Sequence, residues 1–318
     1  MKILLIGSNG QVGWELARTL LPLGEVVALN REQADLTDLE KLRQTVQTIR
    51  PDVIVNAAAY TAVDKAETER DLAFLINAQA VEVLAQEAKK LNALLIHYST
   101  DYVFDGTKDT PYVENDATNP LNVYGESKLA GELAIQASGV DYLICRTTWV
   151  FAARGNNFVK SILRLAAERD ELNIVADQIG APTWARLIAE TTAHILRQAQ
   201  LERGANTFES GIFNLTSEGE TSWHGFAEKI VELKHIPPTP LQRGEENLNS
   251  LAPFEGGGAI ARGVCFNCVI NPIPTSDYPT PAKRPANSRL STERLTQRFG
   301  LTMPAWETTL KLCLEEIK

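Results

Sequence analysis

Two residues four positions apart, Tyr124 and Lys128 in the stretch NVYGESKLAGE (122–132), could move a proton to or from a substrate. On a helix this spacing puts both side chains on one face. A phenol has a pKa near ~10, and a neighbouring ammonium favours its ionised form. Tyr124 could therefore protonate a carbonyl oxygen while a cofactor delivers hydride to the carbon, although a solvated helix face could carry the same pair.

A glycine-rich stretch near the start of the chain, GSNGQVG (7–13), could hold a dinucleotide. It joins the apolar run KILLIG to the helical pattern QVGWELARTLL. Its three glycines would let the backbone approach a pyrophosphate, with the N–H groups of the helix N-terminus directed at the anion. The motif alone also fits a structural turn, but its strand–turn–helix position favours a cofactor site. The predicted contacts are Gly7, Gly10, Gln11, Val12 and Gly13.

Apolar segments that could form strands alternate with helical patterns through the first half of the chain. Such alternation predicts right-handed βαβ units and a parallel sheet covered on both faces. The predicted fold is therefore α/β, a Rossmann-like doubly wound parallel sheet with a smaller, mostly C-terminal substrate-binding lobe. The predicted strands lie within 2–7, 25–30, 51–59, 93–100 and 141–151, with a helix starting at Thr37 or Asp38 and a long helical pattern over 64–91.

The regular alternation weakens after about residue 150. Helices are expected near 156–169 and 185–200, and others beginning at Ser222 and Pro304. Residues 236–285, rich in Pro, Gly and Asn, are expected to be irregular, either as a substrate-facing loop or as a surface insertion. The predicted division is a nucleotide-binding domain over 1–150 with returns over about 172–218, and a substrate lobe over 151–171 and 219–318.

Composition excludes several classes of protein. The chain has 318 residues, a formal net charge of −9 and a pI of about 5.1. It has no basic stripe, so we expect no nucleic-acid partner, and no apolar run long enough for a membrane span. CFNC (265–268) is half of a zinc pattern without a second pair, so we predict no structural metal. These features, with an opening too short for a signal peptide, indicate a cytoplasmic protein.

The end of the second predicted strand bears on cofactor choice. An acidic residue there binds the ribose of NAD, whereas an arginine accommodates the 2′-phosphate of NADP. This chain has Asn30 and Arg31 at the tip, followed by Glu32. The absence of a carboxylate at the tip favours NADPH, with NADH also accepted.

These motifs resemble the extended short-chain dehydrogenase/reductase family, which combines G-x-x-G-x-x-G with a later Y-x-x-x-K. In that family the third catalytic residue is a Ser or Thr at the end of the fourth strand, and HYSTDYVFDG (97–106) supplies Thr100. The resemblance implies that Thr100 binds the substrate oxygen and that Tyr124 is the acid. It implies that Lys128 lowers the pKa of Tyr124 and holds the nicotinamide ribose.

The resemblance narrows to the family of dTDP-4-dehydrorhamnose reductases, through NAAAYTAVDKAE, DQIGAPT and YPTPAKRPANSRL together with the blocks above. It implies reduction of the C4 keto group of a dTDP-sugar in the last step of dTDP-rhamnose synthesis. The further cofactor contacts that it implies are Asp35, Leu36, Ala59, Tyr60, Thr61 and Tyr98. The substrate contacts that it implies are Thr100, Asp101, Trp149, Asn157, Arg284 and Asn287.

Two features depart from that family. The segment over about 238–272 is longer than the usual connection, so the resemblance does not imply a lid geometry here. Some members are Mg²⁺-dependent homodimers with glutamates at the interface. Glu15 and Glu293 match two of those positions, but Arg186 replaces the third acid. A cation would be repelled by that arginine, so we expect little role for Mg²⁺, while a homodimer stays possible.

Three other functions share the fold. A sugar-nucleotide dehydratase carries Thr-Asp-Glu after the fourth strand, and here Tyr102 replaces the glutamate. An epimerase is not separated by these motifs, although the C-terminal blocks do not favour it. Some relatives are regulatory subunits that bind NADP without turnover, a class that the complete set of Thr100, Tyr124 and Lys128 disfavours.

Overall fold

The computed structural model describes residues 1–234 and 268–317. Six of the strands described there form one parallel sheet, in the order β10-β5-β4-β3-β1-β2 defined by the ranges below. The chain winds outward in both directions from β1 and β3, so the predicted doubly wound α/β fold is confirmed. The strands are β1 (Lys2–Ile6), β2 (Glu25–Leu29), β3 (Val53–Asn56), β4 (Leu94–Thr100), β5 (Tyr142–Thr147), β6 (Val150–Phe151), β7 (Glu171–Val175), β8 (Ile179–Gly180), β9 (Thr183–Trp184), β10 (Gly211–Asn214), β11 (Thr221–Ser222) and β12 (Val269–Ile273).

Helices cover both faces of the sheet, as a parallel sheet requires. The helices α2, α5 and α6 pack on one face, and α1, α8 and α10 on the other. No helix within residues 1–234 and 268–317 is long and apolar enough to cross a bilayer. The helices are α1 (Gln11–Thr19), α2 (Leu39–Ile49), α3 (Val63–Ala66), α4 (Arg70–Phe74), α5 (Ala80–Leu91), α6 (Val123–Ser138), α7 (Phe158–Glu168), α8 (Ala185–Gly204), α9 (Trp223–Lys234), α10 (Glu293–Phe299) and α11 (Trp306–Glu316).

A third hydrophobic cluster lies apart from the two that cover the sheet. It combines α7, α9 and α11 with the short pairs β7–β12 and β6–β9. Leu172 and Trp184 belong to it, although the predicted division placed them with the nucleotide domain. Leu295 and Phe299 pack on the main sheet, although that division placed them in the substrate lobe. The two-lobe division stays a prediction, and each of these four residues packs with the lobe opposite to the one that the division assigned to it.

Several local predictions differ from the structure. The pattern over 64–91 forms α3, α4 and α5 with a π-helical segment, Leu75–Gln79, between the last two. Asp38 is the N-cap of α2, since its carboxylate accepts from the N–H of Lys41 at 3.0 Å. The segment over 236–285, expected to be largely irregular, contains the strand β12, which pairs with β7. Residues 235–267 lie outside the described chain. No pattern predicted α10.

Candidate active site

A cleft of about 520 Å³ opens where the carboxyl ends of β1, β3 and β4 meet the glycine-rich loop. Gly7 has φ +88°, and a Cβ there would lie 2.7 Å from the Ala58 backbone nitrogen. A Cβ on Gly13 would collide with the Gly7 carbonyl oxygen. Only glycine fits these two positions, so the loop lies close against β3 and leaves the N-terminus of α1 open to the cleft. This shape fits a dinucleotide, whose phosphates would face those N–H groups.

The cleft gathers most of the predicted cofactor residues. Three others do not line it. Gly13 lies behind the loop, and the Asn30 amide accepts from the Gln33 N–H at 3.2 Å within its own turn. The Tyr60 hydroxyl turns away and donates to Glu69 at 2.6 Å. The predicted residues that do line the cleft are Gly7, Gly10, Gln11, Val12, Arg31, Asp35, Leu36, Ala59, Thr61, Tyr98, Tyr124 and Lys128.

Sequence reasoning missed another part of the lining. Ser99 and Thr147 follow from topology, because they stand at the carboxyl ends of adjacent parallel strands. Ile76 enters from the π-helical segment, which has no sequence signature used above. Gly155 and Asn156 come from the loop after β6. The other unpredicted lining residues are Asn9, Ala34, Ala57, Ala58 and Val150.

Tyr124 and Lys128 are presented by the first two turns of α6. The N-cap Asn122 accepts from the Gly125 N–H at 2.8 Å, which fixes where the helix begins. Lys128 is 2 % exposed and donates to the Tyr98 carbonyl at 2.6 Å. Burial lowers the pKa of the Lys128 ammonium to about 8 and raises the pKa of the Tyr124 phenol to about 12. The two pKa values therefore lie further apart than those of the free side chains, and burial favours the neutral form of each group.

Thr100 and Asp101 lie at the end of β4, next to Tyr124. The Thr100 hydroxyl donates to the Asp101 carboxylate at 3.0 Å, and the Thr100 side chain partly offsets the rise in the Tyr124 pKa. Burial raises the pKa of Asp101 to about 6. Tyr102, at the position where a dehydratase has glutamate, contacts the Tyr124 ring edge-on with ring centroids 5.5 Å apart. The extra carboxylate that elimination needs is therefore replaced here by an aromatic ring.

The cleft wall beside Arg31 contains the carboxylate of Asp35, one of the predicted cofactor contacts. Arg31 is largely exposed, with 79 % of its side chain accessible, and its Nε lies 3.6 Å from Asp35. The Thr37 N–H donates to Asp35 at 2.9 Å and lowers the pKa of that carboxyl. The strand tip carries Asn30 and no carboxylate, while Asp35 reaches the cleft wall through the turn after β2.

A second cleft, of about 840 Å³, lies between α7, β7, α9 and the segment after β12. Phe158, Trp223 and Tyr278 supply aromatic surface, and Arg284 supplies a positive charge. Arg284 donates to Asp64 at 2.7 Å. Aromatic walls beside a guanidinium could hold a base and its phosphates. The lining also includes Leu165, Arg169, Glu171, Leu172, Asn173, Ile174, Val175, Gln178, Ile273, Asp277 and Thr280.

Two aromatic residues connect the two clefts. Trp149 directly precedes the lining residue Val150 of the first cleft, and its ring stacks on Trp223 of the second with centroids 3.7 Å apart. Trp149 has a left-handed backbone with φ +46°, an uncommon conformation for a bulky residue. Tyr102 lies close to both Tyr124 and Arg284. Burial raises the pKa of the Tyr102 phenol, and the charge of Arg284 offsets part of that rise. A substrate bridging the clefts would pass these rings.

The two remaining predicted substrate contacts have their amides engaged elsewhere. Asn157 donates to Gln11 at 2.9 Å and caps α7 by accepting from the Lys160 N–H. Asn287 donates to the carbonyl oxygens of Lys108 and Thr110 and accepts from Arg289. Asn157 and Asn287 both lie outside the two linings, and their roles as substrate contacts stay predictions.

The three residues weighed for a cation site have other partners. Arg186 donates to Glu15 at 3.1 Å and also pairs with Glu316. Glu293 begins α10 and accepts from Gln297 on its own helix. Within residues 1–234 and 268–317, no group of three or more His, Cys, Asp or Glu side chains could hold a metal ion. The arrangement around Arg186 does not fit Mg²⁺.

Comparison with known proteins identifies the relatives of this chain. A family model described as "RmlD substrate binding domain" matches residues 1–318. A dTDP-4-dehydrorhamnose reductase from Burkholderia thailandensis is 54 % identical, with 100 % of this chain and 99 % of the relative covered. A crystal structure of such a reductase from Clostridium acetobutylicum has a TM-score of 0.83 at 33 % identity and covers 99 % of both chains. The Bacillus anthracis reductase in complex with NADP has a TM-score of 0.81 at 32 % identity, again over 99 % of both.

Proposed function

The chain belongs to the RmlD substrate binding domain family, and on that premise we propose that it reduces the C4 keto group of dTDP-4-dehydro-L-rhamnose to give dTDP-L-rhamnose. The observation that carries this proposal is that Tyr124 and Lys128 line the same cleft as the glycine-rich loop. A nicotinamide cofactor bound along that loop supplies hydride. The protein then has to place the sugar carbonyl and provide one proton.

Each residue at the end of β4 and the start of α6 has a separate part in that reaction. Tyr124 donates its phenolic proton to the carbonyl oxygen as the carbon is reduced. Lys128, when charged, favours the phenolate that remains. Thr100 holds the carbonyl oxygen through its hydroxyl, within the site that Tyr124 faces. Proton donation of this kind contributes about 10²–10⁴-fold to a rate.

The second cleft is the site we assign to the dTDP group. Its aromatic wall of Phe158 and Trp223 suits the thymine ring, and Arg284 suits the diphosphate. Trp149, stacked on Trp223, lies where the sugar would pass toward Tyr124. This placement favours a nucleotide-linked sugar over a free one.

For the cofactor we propose a modest preference for NADPH. Arg31 lines the adenosine end of the cleft, and its exposed guanidinium can turn toward a 2′-phosphate. Asp35 competes for that guanidinium, which keeps the preference small. NADH remains a usable reductant.

The test is a direct assay of the purified protein. dTDP-4-dehydro-L-rhamnose and NADPH are supplied, loss of nicotinamide absorbance is followed, and the product is identified by NMR. We expect stoichiometric oxidation of NADPH and a sugar with the L-rhamno configuration at C4. No loss of NADPH absorbance in the presence of the sugar nucleotide, or a product with a different configuration at C4, would contradict the proposal.

A further inference from the structure

A chain of buried polar groups lies directly beneath Lys128. The Lys128 Nζ is 3.2 Å from His97 Nε2, and His97 Nδ1 is 3.2 Å from the side-chain nitrogen of Asn56. His97 and Asn56 are each 1 % exposed, so solvent cannot satisfy these atoms. The imidazole therefore lies between two nitrogen atoms, each of which ordinarily donates.

The orientation of the Asn56 amide fixes how His97 must be protonated. The Asn56 side-chain oxygen accepts from the Ala58 N–H at 3.2 Å, so the amide NH₂ faces His97. That NH₂ can only donate, which makes Nδ1 the acceptor. A neutral imidazole has one donor and one acceptor nitrogen, so the proton lies on Nε2 and points at Lys128. If the Asn56 amide were flipped, its NH₂ would face the Ala58 N–H, and neither donor would have an acceptor there.

We propose that Asn56 holds His97 in the Nε2–H tautomer, and that His97 is thereby a positioning residue that donates to Lys128 and favours its neutral amine. All four hydrogen bonds then run in one direction. The Ala58 N–H donates to Asn56, Asn56 to His97, His97 to the lone pair of Lys128, and Lys128 to the Tyr98 carbonyl. A charged Lys128 ammonium can only donate, so neither tautomer of His97 satisfies all its neighbours. In the Nδ1–H tautomer that N–H faces the Asn56 NH₂, and in the Nε2–H tautomer it faces the ammonium. Each case leaves a buried donor without an acceptor.

The surrounding charges act on Lys128 in known directions. Burial lowers its pKa, and the Glu132 carboxylate one turn along α6 raises it. Glu132 is itself paired with the Arg146 guanidinium of β5 at 2.6 Å, which limits its effect. Burial and the Lys128 charge lower the pKa of His97, so the imidazole stays neutral. The titratable groups that face Lys128 are therefore His97 from β4, and Tyr124 and Glu132 from its own helix.

The consequence for catalysis rests on the proposed reductase function. A charged Lys128 acidifies Tyr124, and a neutral one does not, so His97 helps to set the pH above which turnover falls. Replacing His97 with a side chain that offers an acceptor would stabilise the ammonium. The alkaline fall in kcat/KM would then move to higher pH.

The test uses NMR on the folded protein without sugar or cofactor, so it does not depend on the reductase assignment. The ¹⁵N shifts of the imidazole nitrogens report the tautomer, and the His97→Gln variant assigns the His97 signals among those of four histidines. We expect a protonated Nε2 and a bare Nδ1. A protonated Nδ1 would overturn the proposal. If His97→Gln does not fold, the His97 signals are assigned by elimination, from single variants of the other three histidines.

A second measurement follows the Lys128 ¹³Cε signal against pH. Because glutamine can turn its oxygen toward the amine, we expect the Lys128 titration in His97→Gln to move up by about one unit, a tenfold change in proton affinity. The matched control His194→Gln, at an exposed position on α8, should leave it unchanged. Equal Lys128 titrations in the wild-type and His97→Gln proteins would contradict the proposal.

Discussion

The two clefts are built in different ways. The first is made of backbone, glycine and small side chains at the ends of parallel strands, and its contacts come from the first 156 residues. The second is made of aromatic and charged side chains from α7, β7, α9 and the segment after β12. The first presents main-chain N–H groups that suit any dinucleotide, whereas the second presents aromatic rings and a guanidinium, which suit a narrower range of ligands.

The first cleft has features that any dinucleotide-binding sheet shares, whereas the second has features particular to this chain. The fold itself creates the first cleft, because a parallel sheet brings strand ends together and a glycine turn opens the helix N-terminus. The second depends on side chains distant in sequence, so its specificity can change without altering the sheet. The variants below should therefore affect one cleft and spare the other.

The largest effect is expected from Tyr124→Phe. It removes the proton donor and keeps the ring that packs against Tyr102, so turnover should fall by about 10²–10⁴-fold with little change in cofactor affinity. Steady-state kinetics and a cofactor titration check both parts. The control Tyr142→Phe, at the opposite end of the sheet, should behave as wild type. A Tyr124→Phe enzyme with near-normal kcat would refute the role of the phenol.

Lys128→Ala is expected to affect both turnover and cofactor binding, because Lys128 lines the cofactor cleft and acidifies Tyr124. We expect a loss of turnover approaching that of Tyr124→Phe, with a weaker NADPH complex. Fluorescence titration of NADPH measures the second effect. Lys41→Ala, an exposed change on α2, is the control. Unchanged NADPH affinity would remove the cofactor-binding part of the assignment.

Arg284→Ala should weaken the sugar nucleotide and spare the cofactor. A charge-assisted hydrogen bond to a phosphate contributes about 1.5–3 kcal/mol, which corresponds to about 10–100-fold in KM for the dTDP-sugar. Asp64→Asn breaks the same ion pair but keeps the guanidinium, so it should bind substrate nearly normally. If Asp64→Asn raised KM as much as Arg284→Ala, the ion pair and not the phosphate contact would be the cause.

Arg31→Ala should change only the choice of cofactor. Because Arg31 is largely exposed and shares its charge with Asp35, its contact with a 2′-phosphate should contribute about tenfold, the lower end for such bonds. The ratio of kcat/KM for NADPH and NADH measures this effect. Glu32→Gln should leave the ratio unchanged, since Glu32 lies outside the cleft lining. A preference of the wild type for NADH would contradict the prediction.

The smallest effect is expected from removing divalent cations. Arg186 occupies the position between Glu15 and Glu316, where its charge opposes a metal. Turnover with excess EDTA should stay within about twofold of turnover with Mg²⁺, an estimate that follows from the poor fit of this site to an oxygen-coordinated cation. A large loss that Mg²⁺ restores would show that a cation binds elsewhere or displaces the arginine.

The sequence predicted the first cleft far better than the second. Gly7, Tyr124 and Lys128 lie in local motifs whose geometry follows from a turn or a helix. Tyr60 shows the limit of that reasoning, because its hydroxyl turns away from the cleft to donate to Glu69, a contact that the motif around Tyr60 does not specify.

No single sequence motif contains the residues that line the second cleft. Trp223 and Arg284 are 61 positions apart and meet only because α9 and the segment after β12 pack on the same strand pair. Helix α10 was missed for a related reason, since seven residues are too few for a clear periodic pattern. The order of apolar runs, in contrast, predicted five strands of the main sheet, and only the edge strand β10 was missed.

The most direct test of the division between the clefts is calorimetric titration of NADPH and of dTDP, separately, into the wild type, Lys128→Ala and Arg284→Ala. We predict that Lys128→Ala weakens NADPH and leaves dTDP binding unchanged, and that Arg284→Ala weakens dTDP and leaves NADPH binding unchanged. Parallel losses of both ligands in both variants, with the folded structure intact, would contradict the assignment of one ligand to each cleft.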